Sequence, residues 1–262
     1  MNFLERIAEI KKKEIAQMKK LISRTDYEKR KRIGRDIISL SGSLKDRNMP
    51  GIIAEFKRMS PSRGILNRQA NIADVVKGYE EGGAAGLSIL TEKKYFGGAI
   101  GDISMVRLFT ELPILQKDFV IDEIQIYEAK YSGADAILLI AALLEEKEVY
   151  RLAQAARKTG LEVVLEIHSE EELDKVNDYV NIIGVNNRNL LTLEVDTGTS
   201  FRLAGKIPSG FVKISESGIS SPEVLNNLIK AGYEGFLIGE AFMSKPDPVK
   251  AFKEFVKMIN QI

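Results

Sequence analysis

DAILLIAALLEEKEVYRLAQAARKTGLEVVLEI, running from Asp135 to Ile167, contains three stretches buried in different ways. Its two ends, DAILLI and LEVVLEI, are short and mostly continuous apolar runs, unlike the strict alternation of a strand with one face in water. Its middle, EEKEVYRLAQAARKTG, is amphipathic and closes on Gly160, the residue type that commonly ends helices. Strand, helix and strand of this kind form one crossover unit. Strands that are apolar throughout are buried on both faces, which calls for a parallel sheet covered by helices.

The unit repeats outward in both directions. Apolar runs recur as GIIAEFK (51–57), GLSIL (86–90), PILQK (113–117), NIIGVN (181–186), FVKIS (211–215) and GFLIG (235–239), which bring the number to eight. Between them, IADVVKGYEEGG, DEIQIYEAKYSG and SPEVLNNLIKAGY read as helices, and Ser-Pro opens the last of these. Eight such units over about 210 residues match the (β/α)8 barrel, whose usual size is about 250 residues. An open doubly wound sheet is the alternative, but its marker, a G-x-G-x-x-G turn after an early strand, is absent. No Pro/Gly/Ser linker splits the region. The fold class is therefore α/β: a TIM barrel over residues 49–262, with an N-terminal helical extension over residues 1–48 packed on it as part of one domain.

The residues before Gly51 read as helix, broken near SLSGSLKDRNMPG (39–51), with Phe3, Ile7, Ile10, Ile15 and Met18 at roughly helical spacing. The basic runs KKKE (11–14) and YEKRKRIGRD (27–36) would suit phosphates if read in isolation. Acidic residues interleave with them, so both are read as solvated helix faces. The whole chain of 262 residues is 44% hydrophobic and 29% charged with a net charge of +1, enough for a sizeable core and without a nucleic-acid binder's basic excess. The absence of cysteine excludes disulfides and thiolate metal sites, and a single histidine, His168, argues against a zinc site or a histidine triad. The start lacks an uninterrupted apolar segment and no later run reaches membrane-spanning length. These features predict a cytoplasmic protein with a small-molecule ligand and neither nucleic acid nor membrane as partner.

Barrel enzymes place their chemistry at the C-terminal ends of the strands. The first run ends in Glu55 and Lys57, two apart and so facing one side. The third ends in Lys117, the fifth in Glu166, the sixth in Asn186-Asn187-Arg188, the seventh in Ser215-Glu216-Ser217-Gly218 and the eighth in Gly239-Glu240. Any one of these charges is explained by a strand leaving for solvent. Together they converge on one mouth, where both signs of charge partner one another and shift pKa values. Lysine serves as an acid there if its pKa falls towards neutrality. Gly218 and Gly239 fall in the two loops that form the common barrel phosphate site, and Ser60 of SPSRG adds a hydroxyl. Phe96, in a Gly-bounded loop after the second run, either packs there or covers an apolar ligand. His168 stands two residues past Glu166 and faces the same way. With no activating partner visible, it receives no direct catalytic role.

Seven stretches now carry a resemblance. IIAEFKRMSPSRG (52–64), GLSILTEKKYFGG (86–98), PILQKDFVIDEIQIYEAKYSGADAILLI (113–140), LEVVLEIHSEEEL (161–173), IIGVNNRNLLTLEVD (182–196), ISESGI (214–219) and FLIGEAFM (236–243) look like successive signatures of indole-3-glycerol phosphate synthase, in order and with the expected spacing. The resemblance implies a carboxy-lyase of tryptophan biosynthesis that closes 1-(2-carboxyphenylamino)-1-deoxyribulose 5-phosphate to indole-3-glycerol phosphate, losing carbon dioxide and water. It implies Lys117 as general acid and Glu166 as the carboxylate of later proton transfer. Lys57 would hold the substrate carboxylate, its share of the acid steps left open, and Glu55 would fix the lysines. Asn186, Arg188 and Glu216 would meet the polar middle of the substrate. Ser60, Ser217, Gly218 and Gly239 would line its phosphate end, where Glu240 gives its backbone N–H and turns its side chain away. Phe96, Phe119, Leu138 and Leu193 would enclose the aromatic ring. Met59 and Arg63 stand where Ala and Lys are common in that family. No metal or organic cofactor is implied, and the expected state is a monomer or weak homodimer. Another phosphate-binding barrel, such as an isomerase or thiazole synthase, would share the phosphate loops but not Glu-x-Lys together with KDF. A non-catalytic sugar-phosphate sensor would not need Lys117 and Glu166 together, and RNA binding through the basic N-terminal helix has the least support.

Overall fold

A computed structural model describes residues 2–30, 36–45 and 49–259. Eight barrel strands, β1 (Gly51–Phe56), β2 (Gly86–Leu90), β3 (Ile114–Lys117), β4 (Ala136–Ile140), β5 (Glu162–Ile167), β6 (Ile182–Asn186), β7 (Val212–Glu216) and β8 (Gly235–Ile238), pair in parallel and close between β1 and β8. Each expected apolar run holds one strand. Helices cross between them: α4 (Ile72–Glu81), α5 (Ile100–Val106), α6 (Glu123–Ser132), α7 (Glu146–Thr159), α8 (Gly198–Leu203) and α9 (Pro222–Lys230), while the crossover after β5 holds one 3-10 turn, Glu171–Lys175. Two more, α10 (Glu240–Met243) and α11 (Pro248–Ile259), follow β8. Their ends follow local chemistry. Asn71 accepts the Ala73 N–H at 2.8 Å to start α4, Asp122 caps α6, and Gly133 and Gly160 end α6 and α7 at positive φ.

The two-residue period of the strands sorts every side chain. Ile52, Ala54 and Phe56 of β1 pack outward against the helices, whereas Ile53 points into the lumen with Leu115, Leu138, Val164, Ile214 and Leu237. Continuing that inward register by two residues reaches Glu55, Lys117, Ile140, Glu166 and Glu216. The apolar lumen therefore turns into a charged mouth one layer later.

The N-terminal segment contacts both ends of the barrel. The stretch expected to break the helix instead forms α3 (Leu40–Lys45), whose Leu40 and Leu44 are fully buried under the lumen. Cβ atoms on Gly51 and Gly235 would strike Leu44 and one on Gly86 would strike Leu40, so glycine at three strand starts makes room for this plug. At the other end lies α1 (Phe3–Leu21), opened by a reciprocal Asn2–Glu5 capping box. The Phe3 ring lies 5.2 Å from Tyr95 and 6.4 Å from Phe119. The solvated reading of KKKE holds for Lys12 and Lys13 but not for Lys11, which is buried and pairs with Asp118 at 2.7 Å. Lys11 falls on the buried stripe of Phe3, Ile7 and Ile15, each four residues from the next. A short helix α2 (Arg24–Glu28) buries Tyr27 against α6. Within the second basic run, residues 31–35 lie outside the described residues, as do 46–48, where the expected boundary of the extension falls. No described helix is long and apolar enough to cross a membrane.

Candidate active site

A cavity of about 500 Å³ opens at the C-terminal mouth of the barrel. At its floor the Lys117 Nζ lies 2.6 Å from Glu166 and 2.5 Å from Glu216. Both carboxylates are at most 2% exposed, so their electrostatics are scarcely screened. Beside them, Lys57 pairs with Glu55 at 2.7 Å, and Ser88 donates to the same carboxylate at 3.4 Å. One lysine between two buried carboxylates cannot neutralise both. Burial pushes Glu166 up, but Lys117, His168 and Asn186 outweigh it and hold the group at about 2. Burial also pushes Glu216 up, and with Glu166 and Glu55 nearby Lys117 offsets this only in part, leaving Glu216 at about 7. Lys117 itself departs from the expected fall. Burial pulls it down, but Glu166, Glu216 and Glu55 raise it above its ordinary value.

The loops above the floor are braced from several strands. Ser217 and Gly218 have successive positive φ values of 66° and 77°, a turn that aims neighbouring backbone N–H groups together. Positive φ is uncommon for serine, and the conformation is held from behind: Asn187 donates to the Ser217 carbonyl at 3.0 Å and to the Ser215 hydroxyl at 3.1 Å. Gly239 lies against Glu55, where any Cβ would collide with that side chain. Glu240 was expected to turn away. Instead its carboxylate stays in the cavity wall, accepting from Arg63 Nε at 3.1 Å and Arg188 Nη2 at 3.2 Å. The two cations draw it inward. Arg188 also donates to Ser62 at 3.2 Å and to the Leu193 carbonyl at 3.0 Å, while its own N–H reaches Asn186 Oδ1 at 2.9 Å.

One side of the cavity is apolar, with Phe96, Phe119 and Leu138 in its wall and the two phenyl rings 6.3 Å apart. Buried Glu92 fixes the Phe96 loop by accepting the N–H groups of Lys94, Tyr95 and Phe96 at 2.9, 2.7 and 3.1 Å. Arg58 joins the first and second loops, with bonds of 2.6 and 2.9 Å to Asp102 and 3.2 Å to the Gly97 carbonyl.

Of the residues selected from sequence, Glu55, Lys57, Phe96, Lys117, Phe119, Leu138, Glu166, Asn186, Arg188, Glu216, Ser217, Gly218, Gly239 and Glu240 line this cavity. Ser60 and Leu193 do not. Ser60 is buried in a two-residue hairpin, where its hydroxyl accepts the Arg63 N–H at 3.3 Å. Leu193 turns at φ 63° and offers its carbonyl to Arg188, and Val195 lines the wall from that loop. Arg63 and Asp118 are cavity residues that strand-end reasoning left unassigned. Asp118 directly follows Lys117, and its bonds to Thr91 at 2.5 Å and to Lys11 come from distant segments.

The closed parallel barrel, with acid and base groups meeting at its C-terminal mouth, defines a (β/α)8-barrel enzyme. A variant tryptophan synthase α-subunit from Pyrococcus furiosus superposes with a TM-score of 0.62 at 17% identity, covering 81% of this chain and 98% of that one. The α-subunit from Legionella pneumophila does so at 0.61 and 15%, covering 85% and 95%. At such identities the likeness concerns the fold alone. The family model described as indole-3-glycerol phosphate synthase matches residues 4–255. A Bacteroides thetaiotaomicron protein of that name is 52% identical over 209 residues, covering 80% of each chain. One from Caldanaerobacter subterraneus subsp. tengcongensis is 41% identical over 257 residues, covering 98% of each. The chain belongs to the indole-3-glycerol phosphate synthase family and is a carboxy-lyase of tryptophan biosynthesis.

Proposed function

We propose that the protein closes 1-(2-carboxyphenylamino)-1-deoxyribulose 5-phosphate to indole-3-glycerol phosphate, with Lys117 as the general acid and Glu166 as the base. The observation that carries this reading is Lys117 held between Glu166 and Glu216 on the floor of a half-aromatic cavity. The apolar wall of Phe96, Phe119 and Leu138 suits the substrate ring. The turn at Ser217-Gly218, with Gly239 and the arginines, suits the phosphate. Lys57 suits the substrate carboxylate, with Glu55 holding its ammonium.

Ring closure makes the attacked ketone oxygen an alkoxide, which is more basic than an amine. The raised pKa keeps Lys117 protonated until that charge develops, when the ammonium is the donor at hand. Carbon dioxide then leaves, and its bonding electrons restore the aromatic ring. The new hydroxyl departs as water after taking a second proton, and Glu166 removes one proton from the adjacent ring carbon. Two protons are given and one is recovered, so each turnover takes up one proton, as loss of a carboxylate as carbon dioxide requires. The test is indole fluorescence on mixing protein with this substrate. The chain has no tryptophan, so tryptophan-like emission reports product. Emission that grows in proportion to protein supports the reaction; bound substrate without emission overturns it.

A further inference from the structure

The only histidine has no part in these steps, yet it stands directly behind the proposed base. His168 Nε2 lies 3.5 Å from Glu166 Oε1, and Nδ1 lies 3.5 Å from Glu172 Oε2. Glu172 is pinned on the 3-10 turn, where the same oxygen accepts the His168 backbone N–H at 2.6 Å. Both ring nitrogens are shut off from solvent, and among the described residues neither completes a hydrogen bond. Buried polar atoms are seldom left this way. Both contacts are ion-pair distances that a small side-chain shift would close, as catalytic hydrogen bonds do on assembly.

His168 does not line the reaction cavity. With Glu172 it lines a second cavity of about 500 Å³, walled by Leu4, Glu5 and Ala8 of α1 and by Leu143 and Leu190 of neighbouring loops. Glu166 lines the first cavity. A row Lys117–Glu166–His168–Glu172 thus runs through the barrel wall from one cavity to the other.

We propose that His168 is a positioning residue that passes protons from the second cavity to Glu166, delivering the one proton each turnover consumes. This rests on the reaction above. Substrate in the mouth separates Lys117 from bulk water just as its proton has gone to the former ketone oxygen. The imidazolium gives its Nε2 proton to Glu166 Oε1, and Glu166 gives one proton to the Lys117 amine. The neutral ring then turns about its Cβ–Cγ bond, and its bare nitrogen takes a proton from water in the second cavity. Proton count and charge balance at each transfer. The groups facing His168 suit the role. Glu166 and Glu172 are nearest, Glu216 acts across the barrel, Glu5 looks in from α1, and Lys117 opposes them from beyond Glu166. Burial pulls the imidazolium down, but the carboxylates outweigh it and raise it above its ordinary value. The surrounding carboxylates favour the charged ring, and the relay fails as pH rises through that raised value.

The test uses the full chain, with indole fluorescence as readout, and compares His168→Ala and Glu172→Gln with the unaltered protein. His168→Ala should lower kcat about 100-fold, at the lower end of acid–base contributions, with KM within about twofold. Added imidazole, which fits the vacated space, should restore kcat; pyrazole, of the same shape but a far weaker base, should not. Glu172→Gln should move the basic limb of the kcat–pH profile to lower pH, because one carboxylate holding the imidazolium is gone. Unchanged kcat in His168→Ala, or equal rescue by both azoles, overturns the relay. If that variant does not fold, an unmoved limb in Glu172→Gln overturns it instead. An unaltered protein that forms no indole product overturns the reaction and the relay together, whereas a working protein with an equally fast His168→Ala variant overturns the relay only.

Discussion

Replacing Lys117 by methionine removes one positive charge, and little volume, from between two carboxylates. In the intact site that charge holds Glu166 at about 2 and limits Glu216 to about 7, each from an ordinary 4.5. Without it, burial dominates both, and each carboxyl keeps its proton well above pH 4.5. The sign follows from linkage. A carboxyl whose folded pKa is raised contributes fully below its unfolded value, and the contribution is lost as pH climbs through the folded value. At about pH 5 both groups are neutral, so Lys117→Met should cost only about 1 kcal/mol, a typical single substitution. At about pH 8.5 it should cost about 3–5 kcal/mol, the range for a buried ion pair that has lost one partner. Urea unfolding at the two pH values measures the difference. Turnover should fall about 10²- to 10⁴-fold at both pH values if Lys117 is the acid. An equal stability loss at pH 5 and 8.5 would refute the electrostatic reasoning, and a folded variant with unaltered turnover would refute the acid assignment.

Lys11→Met leaves Asp118 buried without its cation, which should cost about 3–5 kcal/mol in urea unfolding at neutral pH and speed proteolysis within α1. Gly184→Ala introduces a Cβ into Glu216 Oε1, a buried oxygen with no hydrogen-bond partner among the described residues. Displacing that carboxylate by about 1 Å should lower kcat about 10²-fold, and steady-state kinetics separate this from any change in KM. Arg188→Lys loses the planar fork that reaches Glu240, Ser62 and the Leu193 carbonyl together, and KM for the phosphorylated substrate should rise about tenfold with a smaller effect on kcat.

The barrel was legible because burial on both faces leaves a mark in each strand separately. DAILLI needs no knowledge of its partners to read as a buried strand. The convergence of Glu55, Lys117, Glu166 and Glu216 was legible for the same reason, since a two-residue period carries the inward face to the strand end. Their pairing was not. Lys117 meets Glu166 and Glu216 across a lumen whose strands β3, β5 and β7 are not neighbours, so closure decides which charges touch. Likewise, SLSGSLKDRNMPG has the glycine and serine of a break, and α3 forms because Leu40 and Leu44 fill space left by glycines on three strands, two of them distant in sequence. Lys11 belonged to a basic run by composition, but its place on the stripe of Ile7 and Ile15 carries it to Asp118.

The site also shows why so many buried charges do not oppose the fold. From Glu216 through Lys117, Glu166 and His168 to Glu172, every contact joins opposite signs when the imidazole is protonated. Glu166 falls from 4.5 to about 2, and its contribution to stability is present above pH 4.5 and lost as pH falls through 2. Glu216 rises from 4.5 to about 7, and its contribution is present below pH 4.5 and lost as pH climbs through 7. Lys117 is the partner common to both: it holds Glu166 down and keeps Glu216 from rising further, so one charge sets the two carboxyls in opposite directions. A row that leaves one carboxyl poised near neutrality beside a firmly protonated lysine suits the proton transfer proposed for the site.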